Sequence, residues 1–173
     1  MAGYSGTPLV TKIGIKPGHR LLLVNAPKDF ASTLGQLPDG AKSVTKGKSF
    51  DVAVVFVTSA ADLERRLDEI RPHMDQSGMI WAAWPKKASG VATDLSEDRV
   101  RNIGLVSLVD VKVCAMDDTW SGLKFVIRVA DRKKPAATIT NAKASAKTSR
   151  QKPGPRETRP KSTTRAKSAK AAT

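Results

Sequence analysis

Three stretches of the chain are apolar without alternation. Leu21-Leu22-Leu23-Val24 ends at Asn25-Ala26-Pro27, Val52-Ala53-Val54-Val55-Phe56-Val57 is rich in β-branched residues, and Met79-Ile80-Trp81-Ala82-Ala83-Trp84 follows after a polar interval. Runs of this length, apolar on both faces, predict strands of a mainly parallel sheet covered by helices on both sides. Between the second and third runs, Leu63, Leu67, Ile70 and Met74 recur at the spacing of one helix face, with Asp62, Arg65, Arg66 and Glu69 opposite. This predicts a helix capped by Thr58 or Ser59, and so a strand–helix–strand unit with a right-handed crossover. A second helix is predicted from Asp94. Asp94 and Glu97 resemble a capping box, Leu95, Val100 and Ile103 supply an apolar side, and Gly104 stands where a left-handed residue would end the helix.

The period then shortens. Apolar and less apolar positions alternate through Val109-Asp110-Val111-Lys112-Val113-Cys114-Ala115, and Leu123, Phe125, Ile127 and Val129 alternate with Lys124, Val126 and Arg128. A period of two with one wet face predicts antiparallel strands. The segment from Met116 to Gly122 would close a long hairpin. The predicted class is α/β, with a C-terminal antiparallel strand pair at one edge of the sheet.

Charge divides the chain in two. The net charge of +14 comprises 17 basic and 14 acidic residues over 1–130, and 13 basic and 2 acidic residues over 131–173. Every aromatic residue precedes position 130, and Ile139 is the only large aliphatic residue after it. Such a segment buries too little apolar surface to offset about 1–2 kcal/mol of backbone entropy per residue. The expectation is therefore a globular domain over 1–130 and a disordered basic tail over 131–173. Cations on a flexible chain attract polyanions without reading sequence, and without aromatics they cannot stack on bases. DNA or RNA phosphate backbone is accordingly the expected partner of Lys133, Lys134, Lys143, Lys147, Arg150, Lys152, Arg156, Arg159, Lys161, Arg165, Lys167 and Lys170. A merely solubilising extension is the alternative.

Several classes are excluded or disfavoured. A single cysteine, Cys114, permits no internal disulfide and reads as a small buried hydrophobe. Apolar runs of six residues are far short of the roughly 20 that a membrane-spanning helix needs. The N-terminal segment lacks a signal-peptide pattern, so a cytoplasmic location is expected, with nucleoid association if the tail contacts nucleic acid. His19 and His73 have no metal-site spacing, no Ser-His-Asp order is evident, and no metal or catalytic residue is expected. Gly47-Lys48-Ser49 lacks the glycine a P-loop needs five residues earlier and precedes a strand rather than following one.

From Phe50 to Trp84 the chain resembles the fourth strand, helix and fifth strand of class I S-adenosylmethionine-dependent methyltransferases, which also finish on an antiparallel strand. That resemblance implies a Rossmann-like fold in truncated form. The longer phrases Tyr4-Ser5-Gly6-Thr7-Pro8-Leu9, Ile13-Gly14-Ile15-Lys16-Pro17-Gly18, the segment from Trp84 to Leu95 and the segment from Leu108 to Phe125 resemble a family of small bacterial proteins of unknown function. That likeness spans residues 1–130 and implies no activity. The methyltransferase likeness implies a glycine-rich turn after the first strand and an acidic end to the second. Here the first strand ends Asn25-Ala26-Pro27-Lys28, and no acidic strand end stands between Phe30 and Lys48. On these grounds no cofactor is expected, S-adenosylmethionine included.

Two candidate sites remain. Lys86, Lys87, Ser89 and Gly90 follow a parallel strand and precede a helix, where an open α/β sheet binds anions, and Asn25, Thr58 and Ser59 would share the crevice. The alternative is a solvated loop. Asp117, Asp118 and Trp120 could recognise a cation or a protein partner; the alternative is turn chemistry around an indole that closes the core. The leading expectation is a non-catalytic protein whose tail has non-specific nucleic acid affinity. The alternatives are a small transferase or anionic-ligand-binding protein that uses the strand-end crevice, and a protein-partner module.

Overall fold

The computed structural model describes residues 6–133, and in it the three apolar runs lie side by side. The elements are α1 (Leu9–Ile13), β1 (Arg20–Val24), α2 (Phe30–Leu34), β2 (Lys42–Val44), β3 (Phe50–Phe56), α3 (Ala60–Ile70), β4 (Met74–Pro85), α4 (Glu97–Leu105), β5 (Val109–Ala115) and β6 (Trp120–Val126). One six-stranded sheet has the order β2-β1-β3-β4-β6-β5. Strands β2, β1, β3 and β4 are parallel; β6 runs antiparallel to both β4 and β5. The chain is thus a Rossmann-like α/β fold closed by an antiparallel pair.

Unbroken apolar strands sit at the centre because both faces there are covered. Val52, Ala53, Val54 and Val55 of β3 and Ile80, Trp81, Ala82 and Ala83 of β4 are fully buried. One face packs on α3 and α4 through Leu63, Leu67, Ile70 and Val100, joined by Leu108 between α4 and β5. The other packs on α1 and α2 through Leu9, Ile13, Phe30 and Leu34. Trp81 donates its indole N–H to the carbonyl of Ile13 at 3.0 Å, which fixes the end of α1 against the sheet. At the amino edge Asp51 accepts from the backbone N–H of Arg20 at 2.8 Å and from its guanidinium at 2.8 and 3.0 Å. Those bonds hold the Asp51 carboxyl below its ordinary range, against burial, which pushes it up.

The boundaries differ from the sequence reading where a distant partner intervenes. Helix α3 ends at Ile70; Pro72, lacking an N–H, sits in the 3₁₀ turn Arg71–His73 and cannot continue the α ladder. Met74, predicted on the helix, instead opens β4. Helix α4 is capped by Ser96, whose hydroxyl accepts from Arg99 N–H at 3.3 Å, and not by Asp94. Gly104 does not end α4. It lies inside the helix under Phe125, and an added Cβ would stand 2.1 Å from the ring's Cε1. Strand β6 starts at Trp120, inside the predicted link, and Val129 lies beyond it in the 3₁₀ turn Val129–Asp131, exposed. Elements α1, α2 and β2 were not predicted; at five, five and three residues they are too short for a period to show. Of the predicted tail, residues 131–133 are placed, with Lys133 N–H donating to Gln76 at 2.9 Å; residues 134–173 lie outside the described residues.

Candidate functional site

Strand β1 leads through α2 to β2 on one side, whereas β3 leads through α3 to β4 on the other. The connections therefore diverge at the carboxyl ends of β1 and β3, the position where open α/β sheets form a ligand crevice. Asn25 stands at the end of β1 with φ 52°, the one non-glycine residue of positive φ among the described residues. Asparagine tolerates this left-handed conformation better than most residues. Its side-chain amide donates to the carbonyl of Phe56 at 3.4 Å, tying the ends of β1 and β3 together. Asn25 and Thr58 are both exposed there.

Much of the predicted anion-binding chemistry is already engaged within the chain. Ser59 caps α3 by accepting from Asp62 N–H at 3.3 Å. Asp94 caps the same helix from outside, accepting from Ala60 N–H at 2.9 Å. The positive end of α3 is thus met by the protein's own oxygens. Thr93 donates to the Thr58 carbonyl at 2.6 Å, which holds the loop before α4 over this helix start.

The Lys86–Gly90 segment turns toward the β5–β6 link. Lys86 donates its backbone N–H to the Thr119 carbonyl at 2.8 Å and its ammonium to the Asp117 carbonyl at 2.5 Å. Ser89 donates to the Lys86 carbonyl at 2.6 Å, and Gly90, at φ 72°, closes the turn Lys87–Ser89. Lys87 stays exposed. The structure therefore joins Lys86 of the first candidate site to the Asp117 carbonyl of the second.

Asp117 accepts from the N–H groups of Thr119 and Trp120, both at 2.7 Å, which is the local turn bonding that short acidic side chains favour. The Trp120 ring stands edge-on to Phe56 at 5.0 Å, and Phe56 stands edge-on to Phe30 at 4.7 Å. This aromatic ladder underlies the carboxyl edge. On the same edge, Thr7, Leu9, Lys12, Thr33, Met116, Asp117 and Asp118 line a cavity of about 350 Å³. Sequence reasoning missed Thr7, Lys12 and Thr33 because α1 and α2, which position them, have no period to detect. Cys114 is half-buried in β5, and burial raises its thiol pKa. No group of three His, Cys, Asp or Glu side chains able to hold a metal ion exists among the described residues. No helix among them is long and apolar enough to cross a membrane.

No protein-family model and no curated protein matches the chain. Solved structures do. The ribosomal protein L11 methylase of Lactobacillus delbrueckii subsp. bulgaricus is 10% identical with a TM-score of 0.44, over 69% of this chain and 75% of that one. A TehB-like SAM-dependent methyltransferase of Corynebacterium glutamicum is 11% identical with a TM-score of 0.46, over 73% and 91%. LepI, solved in complex with SAM, is 14% identical with a TM-score of 0.42, over 69% of this chain and 39% of that one. The expectation of no cofactor, with S-adenosylmethionine set aside, is corrected on this finding: the neighbours in fold include a SAM-dependent enzyme and a protein solved with SAM.

The β1 turn is left-handed at Asn25 and poor in donors. Asn25 keeps the left-handed conformation that glycine would supply, but it retains a Cβ, and Pro27 removes one N–H. Strand β2 ends with Val44 level with Leu22, short of the carboxyl edge, and brings no carboxylate there.

Proposed function

We propose that the chain is a small transferase or anionic-ligand-binding protein whose ligand seats at the carboxyl edge of the sheet, where β1 and β3 diverge. One observation carries this reading: a left-handed Asn25 at the divergence point, on the edge that also holds the cavity between α1, α2 and the β5–β6 link. The fold likeness directs the first probes to S-adenosylmethionine, S-adenosylhomocysteine and adenine nucleotides. Thermal shift and calorimetry on the full chain test it. A ligand at a hundred times its dissociation constant stabilises by about 2.7 kcal/mol. The bulky variant Thr58→Trp is expected to abolish binding without lowering the melting temperature, since Thr58 is exposed. Absence of a shift or of heat with every one of these compounds overturns the reading.

A second reading concerns residues 131–173, whose net charge of +11 supports sequence-independent attraction to nucleic acid backbone. Anisotropy titration against duplex DNA at several salt concentrations tests it. Affinity that does not fall with salt counts against it.

A further inference from the structure

The sheet carries a row of side chains that neither reading uses. Trp81 of β4 stands opposite Lys124 of β6, and Lys124 stands opposite Lys112 of β5. The three therefore line up across three neighbouring strands on the α1/α2 face. The Lys112 ammonium lies 5.9 Å from the centroid of the Trp81 ring. Directly opposed residues of an antiparallel pair have Cβ atoms about 4.5–5.5 Å apart, and like charges placed so are destabilising.

A β-bulge creates this juxtaposition. Asp110 pairs with Phe125 but Lys112 pairs with Lys124, so Val111 is the extra residue. In unbroken register Lys112 would oppose Leu123 and point at the α4 core. The bulge re-aims it onto the opposite face, beside a second lysine. Lys124 is half-buried, and burial, then the charges of Lys112 and Lys16, push its ammonium pKa down. A lysine stem can cover apolar surface such as the buried Trp81 ring, but an uncharged side chain would do so without the repulsion.

The remaining ion pairs sharpen the contrast. Arg66, Arg99 and Arg101 pair with carboxylates of α3, α4 and their surroundings, Arg20 with Asp51, and Lys46 with Glu69. No carboxylate among the described residues pairs with Lys112 or Lys124. The row lies at an open sheet edge, since β5 has no further strand beside it. An open, uncompensated pair of ammoniums suits an extended anion, and ammoniums bind phosphate as point charges.

We propose that Lys112 and Lys124, side by side over Trp81, form a docking surface for the phosphate backbone of a nucleic acid. The surface belongs to the folded unit and lies away from the carboxyl-edge crevice. Two measurements on the full chain test it. In the wild type, acetylation of lysines read by mass spectrometry should show Lys112 and Lys124 protected by a DNA duplex. In the Lys112→Gln/Lys124→Gln variant, the slope of log K against log salt should fall in magnitude by about 1.8, the loss of two phosphate contacts. A far-UV spectrum confirms that this variant is folded, and the wild-type footprint does not depend on it. Equal acetylation with and without DNA, or protection by polyglutamate in place of DNA, overturns the proposal. Neither lysine lies at the carboxyl edge, so binding of adenosyl compounds should be the same in both proteins.

Discussion

The two faces of the sheet are covered very differently. Helices α3 and α4, of 11 and 9 residues, roof one face and form ion pairs among themselves and with β5: Arg101 reaches Glu97 at 2.7 Å and Asp110 at 3.0 Å. The other face is held by two five-residue helices, one of them pinned by a single indole hydrogen bond. Beyond α1, that second face shows lysines where the first shows ion pairs. Exposed ion pairs contribute little to stability individually, so the roofed face owes its strength to apolar packing. Both sides of this sheet hold a packed core, but the second, under shorter helices, sets two lysines side by side toward its β5 edge.

Four substitutions test that contrast. The largest effect should come from Trp81→Ala, which empties the centre of the lightly covered face and removes the anchor of α1; a loss of about 3–5 kcal/mol is expected in urea unfolding. Gly104→Ala attacks the other face. Its methyl group would meet the Phe125 ring rather than a flexible chain end, and a loss of about 1–3 kcal/mol is expected.

Asp51→Asn should lose about 2 kcal/mol, because a charge-assisted set of bonds to Arg20 is weakened at the amino edge. Here pH gives an independent check. The folded pKa of Asp51 lies below its unfolded value, so its contribution is complete above the ordinary carboxylate range and is lost as pH falls toward the folded value. The stability gap between wild type and Asp51→Asn should therefore close on acidification; a gap that does not change with pH would refute the assignment.

Lys124→Met should have the smallest effect and the opposite sign. Removing one of two opposed ammoniums should stabilise by up to about 1 kcal/mol at neutral pH. The folded pKa of Lys124 lies below its unfolded value, so the penalty is present at neutral pH and relieved as pH rises through the folded value. The advantage of the variant should shrink in alkali. A destabilised Lys124→Met would mean that the lysine is retained for packing.

The centre of this protein is legible in its residues alone. Unbroken apolar runs specify strands buried on both faces, the Leu63-Leu67-Ile70 spacing specifies α3, and the change to period two specifies the antiparallel pair, because burial imposes a period that is local in the chain. Pairing partners are not local, and they are set by the packing of the folded chain. Asp94 looks like the cap of its own helix yet caps α3, and Lys86 looks like an anion ligand yet donates to Asp117. Gly104 looks like a helix end yet admits Phe125, and Lys112 looks like one polar position in an alternating strand until a bulge sets it beside Lys124. The carboxyl edge follows the same division: Asn25 and Thr58 could be placed there from strand ends alone, whereas the cavity walled by α1 and α2 depends on helices too short to leave a period. Register and long-range hydrogen bonds arise from packing the whole chain, which is why they cannot be read from spacing.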